Sequence, residues 1–143
     1  MIEKATKNNW IELIDVWEAS VRATHHFLHP EDIDYYRYRV FHEYFDLMDL
    51  YQIKDESGRI AGFSGLSEDN LEMLFIRPEM RGRGIGKRLV EHALSLGILK
   101  VDVNEENEQA LGFYRKMGYE AVVRSAVDSD NKNYPIIHME YKP

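Results

Sequence analysis

The chain has 143 residues, no cysteine, and a formal charge of −7 from 25 acidic and 18 basic side chains. Without thiols there is no disulfide scaffold, no thiolate metal site and no cysteine nucleophile, and the acidic balance argues against a general nucleic-acid or anionic-membrane binder. With 44% apolar and 30% charged residues, it is expected to be one globular domain over residues 1–143. No stretch resembles a membrane span or a secretory signal, so a cytoplasmic protein is expected.

Residues 2–6 suit a short first strand. From Asn9 onward, Trp10, Leu13, Ile14, Trp17 and Val21 recur at helical spacing until Pro30 ends the pattern, which predicts a helix over about 9–23. A second, aromatic-rich helix is expected from Pro30 to about Phe45. Two strands, 47–54 and 59–66, flank the turn Asp55-Glu56-Ser57-Gly58 and read as a hairpin, with another strand over 70–77 ended by Pro78. Residues 84–96 place Ile85, Leu89, Val90, Ala93 and Leu94 on one helix face, with Gly97 as terminator. A short buried strand at 99–103 precedes a helix over 107–117, with Asn107 as its N-cap and Gly118 as its stop. Two strands, 119–127 and 135–142, close the chain. The order β-α-α-β-β-β-α-β-α-β-β predicts an α/β protein: a mixed sheet with helices on both faces.

Between Arg77 and Arg88 lie five cations (Arg77, Arg81, Arg83, Lys87, Arg88) against one acid, Glu79, and among them stand Gly82, Gly84 and Gly86. Glycines between a strand and a helix allow close backbone approach, and the helix start offers free N–H groups and a positive dipole end to a phosphate. The spacing Gly-x-Gly-x-Gly is neither the dinucleotide pattern nor the NTPase loop.

The run Arg81-Gly82-Arg83-Gly84-Ile85-Gly86 resembles the Arg/Gln-x-x-Gly-x-Gly/Ala hallmark of the GNAT acetyltransferases. A second match lies downstream, where Asn107, Ala110, Phe113, Tyr114, Lys116 and Gly118 fit the family's Asn-x-x-Ala-x-x-Phe-Tyr-x-Lys-x-Gly-Phe stretch, with Tyr119 in place of the final Phe. The likeness covers roughly residues 60–123 and is looser in the N-terminal helices. It implies a mostly antiparallel sheet whose middle strands splay apart to hold acetyl-CoA, and transfer of its acetyl group to a primary amine without a metal. By the same resemblance, the main chain around Leu74, Phe75 and Ile76 pairs with the pantetheine arm. The turn from Arg81 and Gly82 through Arg83, Gly84, Ile85 and Gly86 to Lys87 takes the pyrophosphate. Tyr114 is then the acid that protonates the departing thiolate. Asn107 is either a CoA ligand or simply a helix cap.

The acceptor amine must shed a proton, which calls for a base or a water chain. Glu72 is the first candidate, since with regular alternation it shares a strand face with Leu74 and Ile76. His25 and His26, followed by Phe27, stand where the family places its acceptor loop, and serve as rival base or substrate ligands. His138 reads as structural or substrate-lining, and the aromatics Tyr35 to Phe45 as core, dimer surface or pocket wall. His25, His26 and His29 lack a carboxylate partner at ligand spacing, so no metal is expected. The acceptor is expected to be a small molecule or a peptide amine, and the protein a monomer or homodimer. The competing expectation is a module that binds acyl-CoA as a signal without turning it over.

Overall fold

The computed structural model describes every residue from Met1 to Pro143. Seven strands form one sheet in the order β1-β2-β3-β4-β5-β7-β6: β1 (Ile2–Lys4), β2 (Asp49–Lys54), β3 (Ile60–Ser67), β4 (Asn70–Ile76), β5 (Lys100–Asn104), β6 (Tyr119–Ser125) and β7 (Ile136–Tyr141). Four helices pack on it: α1 (Trp10–Thr24), α2 (Pro30–Arg39), α3 (Ile85–Ser95) and α4 (Glu108–Met117). The element order agrees with the one read from periodicity. All neighbouring strands run antiparallel except β4 and β5.

The parallel pair is the weak seam. It is joined only at Asn70↔Lys100 and Leu71↔Val101, after which the two strands diverge. The core does not split along this seam but falls into three clusters, the smallest made of Ile53, Ala61, Ile85 and Leu89. One cluster, with Leu13, Ile14, Trp17, Phe45, Phe63 and Met73, lies under α1 and α2, and a second, with Leu66, Leu71, Val90, Val101, Tyr119 and Met139, lies under α3 and α4.

A bulge interrupts β4. Gly65 pairs with Met73 and Leu66 with Leu71, so Glu72 is left without a partner. An extra residue on one strand reverses the facing of everything beyond it. Leu71 therefore packs under α3 and α4, whereas Met73 and Phe75 pack under α1. Regular alternation, which put Glu72 on the face of Leu74 and Ile76, is thus corrected: Glu72 opens onto the α1 side beside Met73.

The expected long second helix is also corrected. α2 ends at Arg39, a π turn spans Val40–Tyr44, and a 3-10 turn covers Phe45–Leu47. Arg39 and Tyr44, at the two ends of the wide turn, both bond to Asp130. The loop between β6 and β7 is bolted to α2 elsewhere too: Asp128 accepts from Tyr36, and Asp32 accepts from Tyr134 and from Lys132 at 2.9 Å.

Candidate active site

The divergence of β4 from β5 frees backbone. The Arg77 amide donates to Ala61 O at 2.8 Å, across β3. Because amide direction alternates along a strand, Phe75 also faces β3, whereas the amides of Leu74 and Ile76 face the gap. With β5 paired only as far as Val101, those groups have no strand to bond. Beside them lies a cavity of about 320 Å³ lined by Leu74, Phe75, Ile76, the turn Arg81–Lys87 except Arg83, and the α4 residues Asn107, Ala110, Phe113 and Tyr114. Ten of these lining residues (Leu74, Phe75, Ile76, Arg81, Gly82, Gly84, Ile85, Gly86, Lys87 and Asn107) were expected to hold the cofactor; Ser20, Thr24, Met80, Gln109, Ala110 and Phe113 were not.

The glycine turn is built for close approach. Gly82 and Gly84 have φ of +75° and +78°, and a Cβ at either would meet nothing within 4 Å. The left-handed backbone requires glycine at both, and the space above them is open to a ligand. Gly84 is the N-cap of α3, whose first turn presents unpaired N–H groups. The cations divide into two kinds. Arg77 is tied down, donating to Ile60 O at 2.7 Å and lying 3.7 Å from Glu12. Arg81 crosses the cavity to Ser20 on α1 and Gln109 on α4, both at 3.4 Å, and burial lowers its pKa. Arg83 and Lys87 remain at the surface around the turn.

Asn107 caps α4, its side chain accepting from the Ala110 amide at 3.2 Å. Two turns on, Tyr114 is 6% exposed and opens onto the cavity, its ring edge-on to Phe113 and Tyr119. Burial, with the neighbouring Tyr119, raises the phenol's pKa well above its usual 10. A phenol held protonated is a proton donor, not a nucleophile.

A second cavity, of about 400 Å³, lies on the α1–α2 side. Its walls include Trp17, Leu28, Tyr36, Tyr44, Met73 and Glu72. Ser67 donates to Glu72 Oε1 at 3.1 Å and holds the carboxylate at the rim. Of the expected aromatics, Tyr36 and Tyr44 line this cavity, Phe45 is core, and Tyr35 and Tyr38 are exposed.

The adjacent histidines part company. His25 is half-buried and lines both cavities, while His26 points to solvent and lines neither. Phe27 stacks between His25 and Tyr134 and touches the site only through His25. His138 sits on the far strands, bonded to Asp102 and Ser125 at 2.6 Å each, outside both cavities. No group of three or more His, Cys, Asp or Glu side chains is arranged to hold a metal ion.

A family model described as an acetyltransferase (GNAT) domain matches residues 48–121. The peptidyl-lysine N-acetyltransferase YjaB of Escherichia coli is 41% identical, over 91% of this chain and 88% of that protein, and its Salmonella typhimurium counterpart is equally so. This chain is a GNAT acetyltransferase.

The solution structure of apo YjaB from Escherichia coli superposes with a TM-score of 0.89 at 38% identity, covering 99% of this chain and 96% of that one. An N-acetyltransferase of Thermoplasma acidophilum in complex with coenzyme A superposes at 0.75 over 99% and 98% with 20% identity, a likeness of fold. As a GNAT enzyme, the chain moves an acetyl group from acetyl-CoA to a primary amine. No helix is long and apolar enough to cross a membrane.

Proposed function

We propose that this enzyme acetylates the ε-amino group of lysine in a peptide or protein, working in the cytoplasm as a monomer or homodimer. The observation that carries the reading is the pair of cavities that meet at His25 and Phe75, one suited to the acyl donor and one to the amine. The acceptor side combines aromatic walls from Tyr36 and Tyr44 with the Glu72 carboxylate. That pairing suits a cation on an apolar stem. The YjaB proteins, similar along nearly the whole chain, carry the name peptidyl-lysine N-acetyltransferase.

Acetyl-CoA supplies an activated acetyl carbonyl when bound. The free amides of Leu74 and Ile76 pair with the pantetheine arm, and the one nearer the carbonyl polarises it. The amides from Gly82 to Lys87 take the pyrophosphate, with Arg83 and Lys87 adding charge and Arg81 swinging from its long contacts. Asn107 keeps the α4 end in place beside the arm. Glu72 draws in the lysyl ammonium and receives its proton. The neutral nitrogen attacks the carbonyl carbon, the carbon–sulfur bond breaks, and Tyr114 gives its proton to the thiolate. No step needs a metal ligand from the chain.

The test is thiol release and product mass with acetyl-CoA and lysine-containing peptides. Tyr114→Phe is expected to lower kcat by roughly 100-fold, within the usual range for a lost general acid, with acetyl-CoA affinity unchanged. Tight acetyl-CoA binding with no turnover across peptides, polyamines and small amines would instead favour a signal-binding module.

A further inference from the structure

His25 is the only polar side chain that lines both cavities, since the other shared wall is Phe75. It stands at the end of α1 as the C-cap residue, its amide bonded to Val21 O at 2.7 Å. Its ring lies against Phe27 and Phe75, with centroids 5.2 and 6.4 Å away. Both ring nitrogens have partners, and the partners fix the proton. Thr24 Oγ1 gives its own hydrogen to Ser20 O at 2.8 Å, so it accepts from His25 Nδ1 at 2.8 Å. At the other end, the Asn107 oxygen is occupied by the Ala110 amide, so its NH₂ group faces His25 Nε2 at 3.4 Å. Both ends require the same tautomer, with hydrogen on Nδ1 and a lone pair on Nε2.

We infer that His25 orients the attacking amine: its Nε2 lone pair accepts one N–H of the neutral amine at the junction of the cavities and aims the nitrogen's own lone pair at the acetyl carbonyl. The inference rests on the amine arriving through the second cavity. The Asn107 contact is the longest in the chain of bonds, so it yields readily to a better donor. Two fixed sides, Thr24 below and the aromatic rings around, hold the imidazole plane, and small errors in such alignment are expensive in rate.

The ring keeps its lone pair at working pH. The charged and titratable groups facing it are Arg81 from the glycine turn, the adjacent His26, Lys87 and Tyr114 across the first cavity, and Glu72, Tyr36 and Tyr44 across the second. Burial chiefly, then Arg81 and His26, pulls its pKa down to about 4. Such a ring is neutral at working pH, with its Nε2 lone pair free to accept a hydrogen bond. It accepts a hydrogen bond from the amine and passes no proton.

The experiment compares the full-length enzyme with His25→Leu and His25→Gln. The acceptors are a blocked lysine tripeptide amide and, separately, propylamine, across pH 6 to 10, with acetyl-CoA affinity by calorimetry and melting temperature as controls. His25→Leu is expected to lower kcat ten- to a hundred-fold with acetyl-CoA affinity within twofold. His25→Gln, which restores an acceptor without a titrating group, is expected to recover most of the loss. The wild-type profile is expected to rise with no inflection between pH 6 and 7. The same ranking of variants with propylamine supports the inference even if the tripeptide is refused, an outcome that would sink only the peptide-acceptor reading. A His25→Leu enzyme within twofold of wild type overturns it. So does a wild-type inflection near pH 6.5 that disappears in His25→Gln, because His25 would then be the base.

Discussion

His25 and His26 are chemically identical and one residue apart, yet one is enclosed by Thr24, Asn107 and two phenylalanine rings while the other meets solvent. That difference has a consequence for stability. A histidine that titrates at about 4 in the folded chain and near 6.5 when unfolded takes up its proton first in the unfolded state. Its effect on stability is therefore nil above pH 6.5 and grows unfavourable as the pH falls from 6.5 towards 4. The penalty reaches about 2–3 kcal/mol at the lower end. His25→Gln is expected to remove this contribution, so that urea midpoints of the variant fall less steeply than wild type between pH 6.5 and 4.5. Parallel slopes for the two proteins would show that His25 titrates normally. Tyr114 illustrates the opposite direction: burial raises its pKa, so the phenol keeps its proton throughout the range in which an amine becomes neutral.

Among the elements, β4 decides the site. Its bulge at Glu72 turns a carboxylate to the acceptor side, and its divergence from β5 bares the main chain at Leu74 and Ile76. The strand's position is set from behind by Gly62, where a Cβ would lie 2.6 Å from Ile76 Cδ1, 3.1 Å from Phe75 O and 3.2 Å from Ile85 Cγ2. Ile76 can rotate, but the carbonyl is backbone and cannot move without β4. Gly62→Ala is therefore expected to destabilise by about 1–3 kcal/mol, the usual range for an overpacked core, and to weaken acetyl-CoA binding. Gly86 offers the control, since its added Cβ would meet Phe113 at an ordinary 3.5 Å. Gly86→Ala is expected to stay within about 1 kcal/mol of wild type, because alanine is favoured over glycine inside a helix. Denaturant titration of the pair separates the two; equal losses would show that the close approach at Gly62 relaxes freely.

At the scale of the whole molecule, the two halves of the sheet meet along a seam held by two residue pairs of β4 and β5, with the cluster of Leu66, Leu71, Val101 and Met139 packed across it. A ligand bound in the seam links both halves and binds only the folded chain. Acetyl-CoA at a hundred times its Kd is expected to stabilise by about 2.7 kcal/mol, raising Tm by several degrees. Hydrogen exchange should locate the effect: peptides covering residues 70–77 are expected to slow on acetyl-CoA addition, while β1 and β2 stay unchanged. Uniform slowing across the sheet, without a local effect at β4, would argue against pairing between the ligand and that strand. Apolar periodicity alone carried the order of helices and strands, because burial of one face is written into each segment. The glycine turn, the Asn107 cap and the Gly118 stop were equally legible, since each is local backbone chemistry. The acetyltransferase family followed from two motifs in sequence. The tertiary structure alone decided the bulge at Glu72, as Leu71-Glu72-Met73-Leu74 reads as unbroken alternation and only pairing with Gly65 and Leu66 exposes the extra residue. It alone broke the second helix at Val40, through bonds to Asp130 some ninety residues away. It alone separated His25 from His26, because partners such as Asn107 and Phe75 come from distant segments, and a sequence records its neighbours along the chain but not those across the fold.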